Sequence, residues 1–116
     1  MIGAAIEVHG HLGPGLLEAA YEECLAREFD LRSVPYERQK PLPIAYKGIE
    51  LDCAFRLDFL VDERLVLELK SVEAVLPIHQ AQLLTYLKLT GCKLGLLLNF
   101  NTRVMQDGIE RIAHGL

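Results

Sequence analysis

The sequence predicts an α/β fold of the α+β sandwich type, and three stretches carry that prediction. "FRLDFLVDERLVLELK", residues 55–70, alternates apolar and other residues on both sides of a turn, as a β-hairpin with one covered face does. "PIHQAQLLTYLKLTG" opens on Pro77 and closes on Gly91, the residues favoured at the first position of a helix and just past its end. "LGLLLNF", residues 94–100, is too apolar to keep a wet face and fits a central strand covered on both sides.

Each element follows from local signals. Residues 2–9 fit a short helix stopped by the glycines and Pro14 of "GHLGPG", and a longer helix runs from Leu16 to Phe29. On that second helix Leu17, Tyr21, Cys24, Leu25 and Phe29 trace one inward stripe at helical spacing, and Glu18 falls inside it. "YERQKPLPIAYKGIELDC" reads as a strand, a Lys47-Gly48 turn and the start of a second strand. Pro41 and Pro43 cannot donate to a ladder, which puts the first of these strands at a sheet edge. The hairpin follows, then the helix from Pro77, with Leu83, Leu84 and Leu87 as its core stripe. His79, Gln82 and Tyr86 form a polar stripe beside it, the kind that borders solvent or lines a cleft. After "LGLLLNF", a turn at Asp107-Gly108 leads to a last short strand, "IERIA". Helices, a β-meander, a helix and further strands make a mixed sheet flanked by helices, in one domain over residues 1–116.

Composition narrows the function. With 116 residues, 51% of them hydrophobic, the chain can build one ordinary core and not two. No apolar run reaches the roughly 18 to 20 residues of a membrane span, and "MIGAAIEVHGHLGPG" lacks the basic start and apolar centre of a signal peptide, so a cytoplasmic protein is expected. Cys24, Cys53 and Cys92 are scattered and odd in number, which suggests reduced thiols and neither a disulfide framework nor a zinc site. A formal net charge of -4 argues against a general polyanion-coating protein, because such binding rests on excess Lys and Arg. It leaves room for a local site whose carboxylates hold a cation.

The hairpin carries the chemistry. With Asp62, Glu63 and Arg64 in the turn, Val61 faces Leu65, Phe59 faces Leu67 and Asp58 faces Glu68. Leu57, Phe59, Val61, Leu65, Leu67 and Leu69 then share an apolar face, with Arg56, Asp58, Glu68 and Lys70 on the other. Directly opposed residues on a ladder hold their Cβ atoms about 4.5–5.5 Å apart, so two carboxylates are placed to meet one ion, and they repel until something positive sits between them. A solvated face with diagonal pairs of Asp58 to Lys70 and Glu68 to Arg56 is the plainer reading, but Leu60 and Val66 lie on the same face and imply that something covers it. Glu18, as a carboxylate in an apolar stripe, likewise needs a partner, an ion or a helix start. His9, His11, Gln39, Lys40, Arg103 and Arg111 are weaker candidates, each with an ordinary surface or capping role available.

An Asp followed after about ten residues by Glu-x-Lys at the end of the next strand resembles the PD-(D/E)XK nuclease signature, here through Asp58, Glu68 and Lys70. "GPGLLEAAYEECL" resembles a Gly-x-x-Glu-x-x-Tyr motif through Gly15, Glu18 and Tyr21. The blocks "YERQKPLPIAYKG", "LDFLVDERLVLELKSVE", "QLLTYLKLTGCKLGLLLNF" and "DGIERI" extend a similarity to the GxxExxY family of that superfamily over nearly the whole chain. Leu57 stands where the superfamily's name has Pro.

The resemblance implies a restriction-endonuclease-like core of α-β-β-β-α-β order and a metal-dependent nuclease that hydrolyses phosphodiester bonds in DNA, in repair or defence. It implies Glu18, Asp58, Glu68 and Lys70 as catalytic residues. Asp58, Glu68, the carbonyl of Leu69 and Glu18 become ligands of Mg²⁺ or Mn²⁺, and Gln82, Tyr86 and Arg56 contact substrate or order water. DNA is then the expected partner, and a homodimer is compatible with the fold. The alternatives are a nuclease-fold module that binds nucleic acid without cutting and an interaction protein whose cleft serves a protein partner or a small ligand.

Overall fold

The sequence signals resolve into three α-helices, five strands and one 3-10 turn in a computed structural model that describes residues 2–115, apart from the side chains of residues 52–54. The elements are α1 (Ile2–Leu12), α2 (Glu18–Leu31), β1 (Tyr36–Tyr46), β2 (Ile49–Val61), β3 (Leu65–Lys70), α3 (Pro77–Thr90), β4 (Leu94–Asn99), the 3-10 turn (Met105–Gly108) and β5 (Ile109–Ala113). The sheet runs β1-β2-β3-β4-β5, antiparallel throughout except for the parallel β3–β4 pair. Joining two parallel neighbours requires a crossover, and α3 supplies it.

The α3 bounds match the expected ones. Pro77 sits in the first turn, and Gly91 takes a left-handed φ of 75° as its amide bonds the Leu87 carbonyl at 2.9 Å. At the first two helices the ends move. α1 continues through Gly10 to Leu12, because the break comes at Gly13, with φ 70° and its amide on His9 O. α2 begins at Glu18 rather than Leu16, so Leu17 is its N-cap and stands 78% exposed outside the stripe to which it was assigned. Asp107-Gly108, expected as a simple turn, closes a 3-10 turn.

Helices cover both sheet faces. α1 and α2 pack Ala4, Ala5, Val8, Tyr21, Leu25 and Phe29 against Phe59, Val61, Leu67, Leu69, Leu96 and Leu98. On the opposite face, Leu83, Tyr86 and Leu87 of α3 meet Leu42, Leu57, Leu60, Val66 and Leu97. β4 contributes to both layers, as its unbroken apolar run requires. Gly95 lets α3 approach the sheet: a Cβ there would stand 2.9 Å from Leu83 Cδ1. At Gly108 a Cβ would stand 1.9 Å from the backbone oxygen of Asn99, leaving space for glycine alone.

Leu57 lies on the α3 side and not with Phe59 and Val61, contrary to the alternation read from the sequence. The cause is a kink between Leu57 and Phe59. Opposite it on β1, Gln39 has φ 48°, and the β1–β2 pairing skips from Arg38–Phe59 to Lys40–Leu57. One irregular residue on each strand reverses which face the next side chain takes. Cys24 is half-buried and Cys92 buried, both free thiols; Cys53 lies outside the described side chains.

Candidate active site

The β2–β3 ladder pairs Val61 with Leu65, Leu60 with Val66 and Phe59 with Leu67, in the expected register, and its regular pairing ends there. Beyond it, the strand amides bond to side chains. The Asp58 amide donates to Glu68 Oε1 at 3.3 Å, and the Leu69 amide donates to Asp58 Oδ2 at 2.8 Å. Carboxylates thus take the place of backbone acceptors, which fixes both side chains in the gap between two strands.

The gap is covered. Glu68 is 4% exposed, pairs along β4 with Leu97, and lies on the face where Val66 meets α3. Burial, and then the neighbouring Asp58, push its carboxyl up to about 9. Asp58 is raised as well, chiefly by burial; the Leu69 amide, Glu68 and Lys70 favour its ionised form, while Glu22 opposes it. The pair therefore retains a proton near neutral pH unless a cation takes the proton's place.

Tyr86 closes the site from α3. Expected on a polar border, it is buried at 4% exposure, its ring edge-on to Phe55 with centroids 5.6 Å apart. Its phenol is pushed up to about 12 by burial and then by the charges of Glu68 and Asp58, and its ring packs in the layer that holds Val66, on the face of β3 that carries Glu68. Lys70, half-buried at the end of β3, favours the ionised forms of both acids without a direct ion pair among the described residues. The diagonal salt bridges of the plainer reading do not form there. Arg56 is exposed and pairs with Pro41 of β1, and it lies beyond the end of the regular β2–β3 ladder. Gln82 lies one helical turn before Tyr86 and lines a surface cleft with Phe55.

Glu18 takes a different partner from the one expected. Its Oε1 accepts the amide of Ser71 at 2.9 Å, immediately after Lys70, and Ser71 Oγ donates to Leu16 O at 2.5 Å. The Gly-x-x-Glu-x-x-Tyr stretch builds this junction. Gly15 takes φ 97°, which a side chain would strain, while Tyr21 Oη donates to Gly13 O at 2.6 Å and accepts from the Leu16 amide at 3.1 Å. The Tyr21 ring lies on Phe100 with centroids 4.4 Å apart. Glu18 therefore ties the start of α2 to the end of β3, one residue past Lys70. Among the described residues no three His, Cys, Asp or Glu side chains gather closely enough to hold a metal ion.

Glu22, which sequence reasoning passed over, is the α2 acid linked to Asp58, through Gln39. Glu22 accepts from Gln39 Nε2 at 2.5 Å and from Arg38 at 2.7 Å, and Gln39 Nε2 also reaches Asp58 Oδ1 at 3.5 Å. Spacing offered a signal, because Glu22 is one helical turn from Glu18 on the same face. Asn99, also unforeseen, is buried and accepts the amides of Val72 and Asn101 while donating to Val72 O at 3.0 Å, so it pins the loop after Lys70 to β4. Of the weaker candidates, His9 bonds Thr102 O at 2.8 Å, His11 bonds Glu7 at 3.1 Å and Lys40 pairs with Glu37 at 2.7 Å. Arg103 and Arg111 are exposed. Only Gln39 joins the acidic pair directly.

The donor set suits a hard divalent cation. A half-buried and a buried carboxyl group on neighbouring strands supply oxygen ligands and lack the positive charge that would let both ionise. Among known proteins, the family model of the PD-(D/E)XK nuclease superfamily matches residues 1–112. No curated protein and no solved structure matches the chain.

Proposed function

Since the chain belongs to the PD-(D/E)XK nuclease superfamily, we propose that it is a metal-dependent nuclease of the GxxExxY type that hydrolyses phosphodiester bonds in DNA, in repair or defence. The observation that carries this reading is the pairing of half-buried Asp58 with buried Glu68, each accepting a backbone amide of the other strand, with Lys70 at the end of the same strand. Superfamily nucleases generally depend on divalent metals. Asp58, Glu68 and the carbonyl of Leu69 are the groups that would hold Mg²⁺ or Mn²⁺, with Glu18 contributing from the start of α2. When bound, the ion supplies an activated water and neutralises phosphate charge.

The chain's own residues divide the remaining work. Lys70 orients the attacking water and stabilises the charge developing on the phosphoryl oxygens. Tyr86 donates its phenol proton toward a phosphate oxygen, a role suited to a hydroxyl that burial and two acids keep protonated. Gln82 positions the strand one turn away. Gln39 restrains Asp58 and links it to Glu22. Glu18, anchored on Ser71, fixes the direction in which the strand end presents Lys70.

A second reading rests on the pair not becoming a triad: a nuclease-fold module that binds nucleic acid and does not cut. Plasmid and single-stranded DNA incubated with Mg²⁺, with Mn²⁺ or with EDTA separate the two. We expect cutting that requires the metal and falls by about 100-fold or more in Lys70→Ala. Binding with no cutting under any metal condition establishes the second reading instead.

A further inference from the structure

A cleft on the α3 side of the molecule lies outside the acidic pair yet shares a wall with it. It measures about 400 Å³ and is lined by Phe55, Ile78, His79, Ala81, Gln82 and Thr85. That size falls within the range of roughly 300–1,000 Å³ usual for small-molecule pockets. Its lining is mainly apolar. Ile78 stands 68% exposed on α3, a large apolar side chain left without cover. Phe55 is the common wall: its ring meets the cleft and also contacts the ring of Tyr86, which packs in the layer that holds Val66, two residues before Glu68 on the same strand face. The polar groups of the lining are few. His79 Nδ1 is occupied by the Leu76 amide and Thr85 Oγ1 by Ala81 O, whereas the Gln82 amide makes no hydrogen bond among the described residues. An aromatic wall, an aliphatic wall and one free amide suit a flat heteroaromatic group with hydrogen-bonding edges.

Charge limits what else can hold a strand here. The chain carries a net charge of -4, Arg38 is engaged by Glu22 and Glu23, and Lys40 by Glu37. Lys70 and Arg56 are the cations of β2 and β3 at this end without an ion pair among the described residues, and two cations give only modest binding by counterion release. Proteins that hold single strands obtain much of their affinity from bases stacked on aromatic side chains, and a base within a duplex is not available for that.

Resting on the nuclease reading of the neighbouring site, we infer that this cleft is a subsite for one unstacked nucleobase adjoining the scissile phosphate, which makes single-stranded nucleic acid the preferred substrate class. The base seats between Phe55 and Ile78 with its edge toward Gln82. Its phosphate then lies toward Tyr86 and Lys70.

The test uses the full chain with Lys70→Ala to prevent cutting, and a short single strand carrying one 2-aminopurine, or an abasic position in its place. We expect 2-aminopurine fluorescence to rise on binding as the base leaves its neighbours, and about tenfold or greater weakening for the abasic strand. Ala81→Trp, an exposed helix position, fills the cleft from its rim, and should abolish the rise in fluorescence and weaken only the strand that carries the base; circular dichroism verifies its fold. Phe55→Leu, which keeps the packing against Tyr86, should act in the same direction. Base-dependent binding in a protein that never cuts would uphold the subsite while removing the nuclease reading. Metal-dependent cutting that is equally fast on single and double strands, and indifferent to Ala81→Trp and Phe55→Leu, overturns the subsite and leaves the nuclease reading in place. Equal binding of base-bearing and abasic strands overturns it too.

Discussion

At the scale of single residues, Glu68 concentrates the tension of the site. Its carboxyl rises from an ordinary 4.5 to about 9, through burial first and Asp58 second. In the metal-free protein the folded state therefore binds a proton that the unfolded chain releases above 4.5. The stability this confers is complete below 4.5 and is lost as pH climbs toward 9, so metal-free stability should decline across that window. Glu68→Gln keeps the shape and removes the titration. It should flatten the decline and stabilise the protein by about 1–2 kcal/mol at the alkaline end, while abolishing cutting. Urea unfolding of both proteins at several pH values measures this, and parallel pH profiles would sink it. Such a trade, in which a group costs stability and supplies function, is what a site built to receive a cation implies.

Among elements, close approach of backbones decides what the sequence tolerates. Two glycines with negative or extended φ matter more than several with positive φ in open turns. Gly95 admits Leu83 of α3 to within contact of β4, and Gly108 admits the oxygen of Asn99. An added methyl at Gly95 meets the end of a buried but rotatable side chain, at a cost of about 1–2 kcal/mol. At Gly108 it meets backbone at 1.9 Å, which no rotamer relieves, and the displaced residue, Asn99, is the one that holds the loop after Lys70. Gly108→Ala should therefore destabilise by about 3 kcal/mol or more and reduce activity beyond its effect on folding. Thermal melts of the two variants check the order; a smaller loss at Gly108 than at Gly95 would contradict it. The α2 start illustrates the same logic with hydrogen bonds, since Tyr21 secures both Gly13 and Leu16 and thereby places Glu18 on Ser71.

For the molecule as a whole, the unequal strand lengths set the shape. Among the described pairs, β2 meets β3 over Phe59–Val61, whereas Ile49, Glu50, Leu51, Phe55, Arg56 and Leu57 are paired with β1. That two-stranded ribbon leaves Tyr46, Ile49 and Leu51 exposed, and the long axis of the molecule is 47 Å against 31 and 28 Å for the others. A lone pair of strands has marginal stability, whereas β3 and β4 are buried between two helical layers. Hydrogen exchange should therefore be fast from Ile44 to Leu51 and slowest in Leu67, Leu69 and Leu96–Leu98. Uniform protection along β2 would refute this two-tier stability.

By itself the sequence determined the elements, the β2–β3 register, the edge position of β1 and the presence of Asp58, Glu68 and Lys70 at one end of a hairpin. Each of these depends on periodicity, turn chemistry or proline's missing donor, all of which act over a few residues. Only the tertiary structure decided that the alternation reverses at Gln39 and Asp58, that Tyr86 is buried in the α3 layer, and that Glu18 serves Ser71 while Glu22 is linked to Asp58 through Gln39. The reason is physical. A helix carboxylate can reach several points on the sheet below it, and the one it takes depends on how helix and sheet are docked, which is fixed by glycine contacts, loop staples and aromatic packing between segments far apart in the chain.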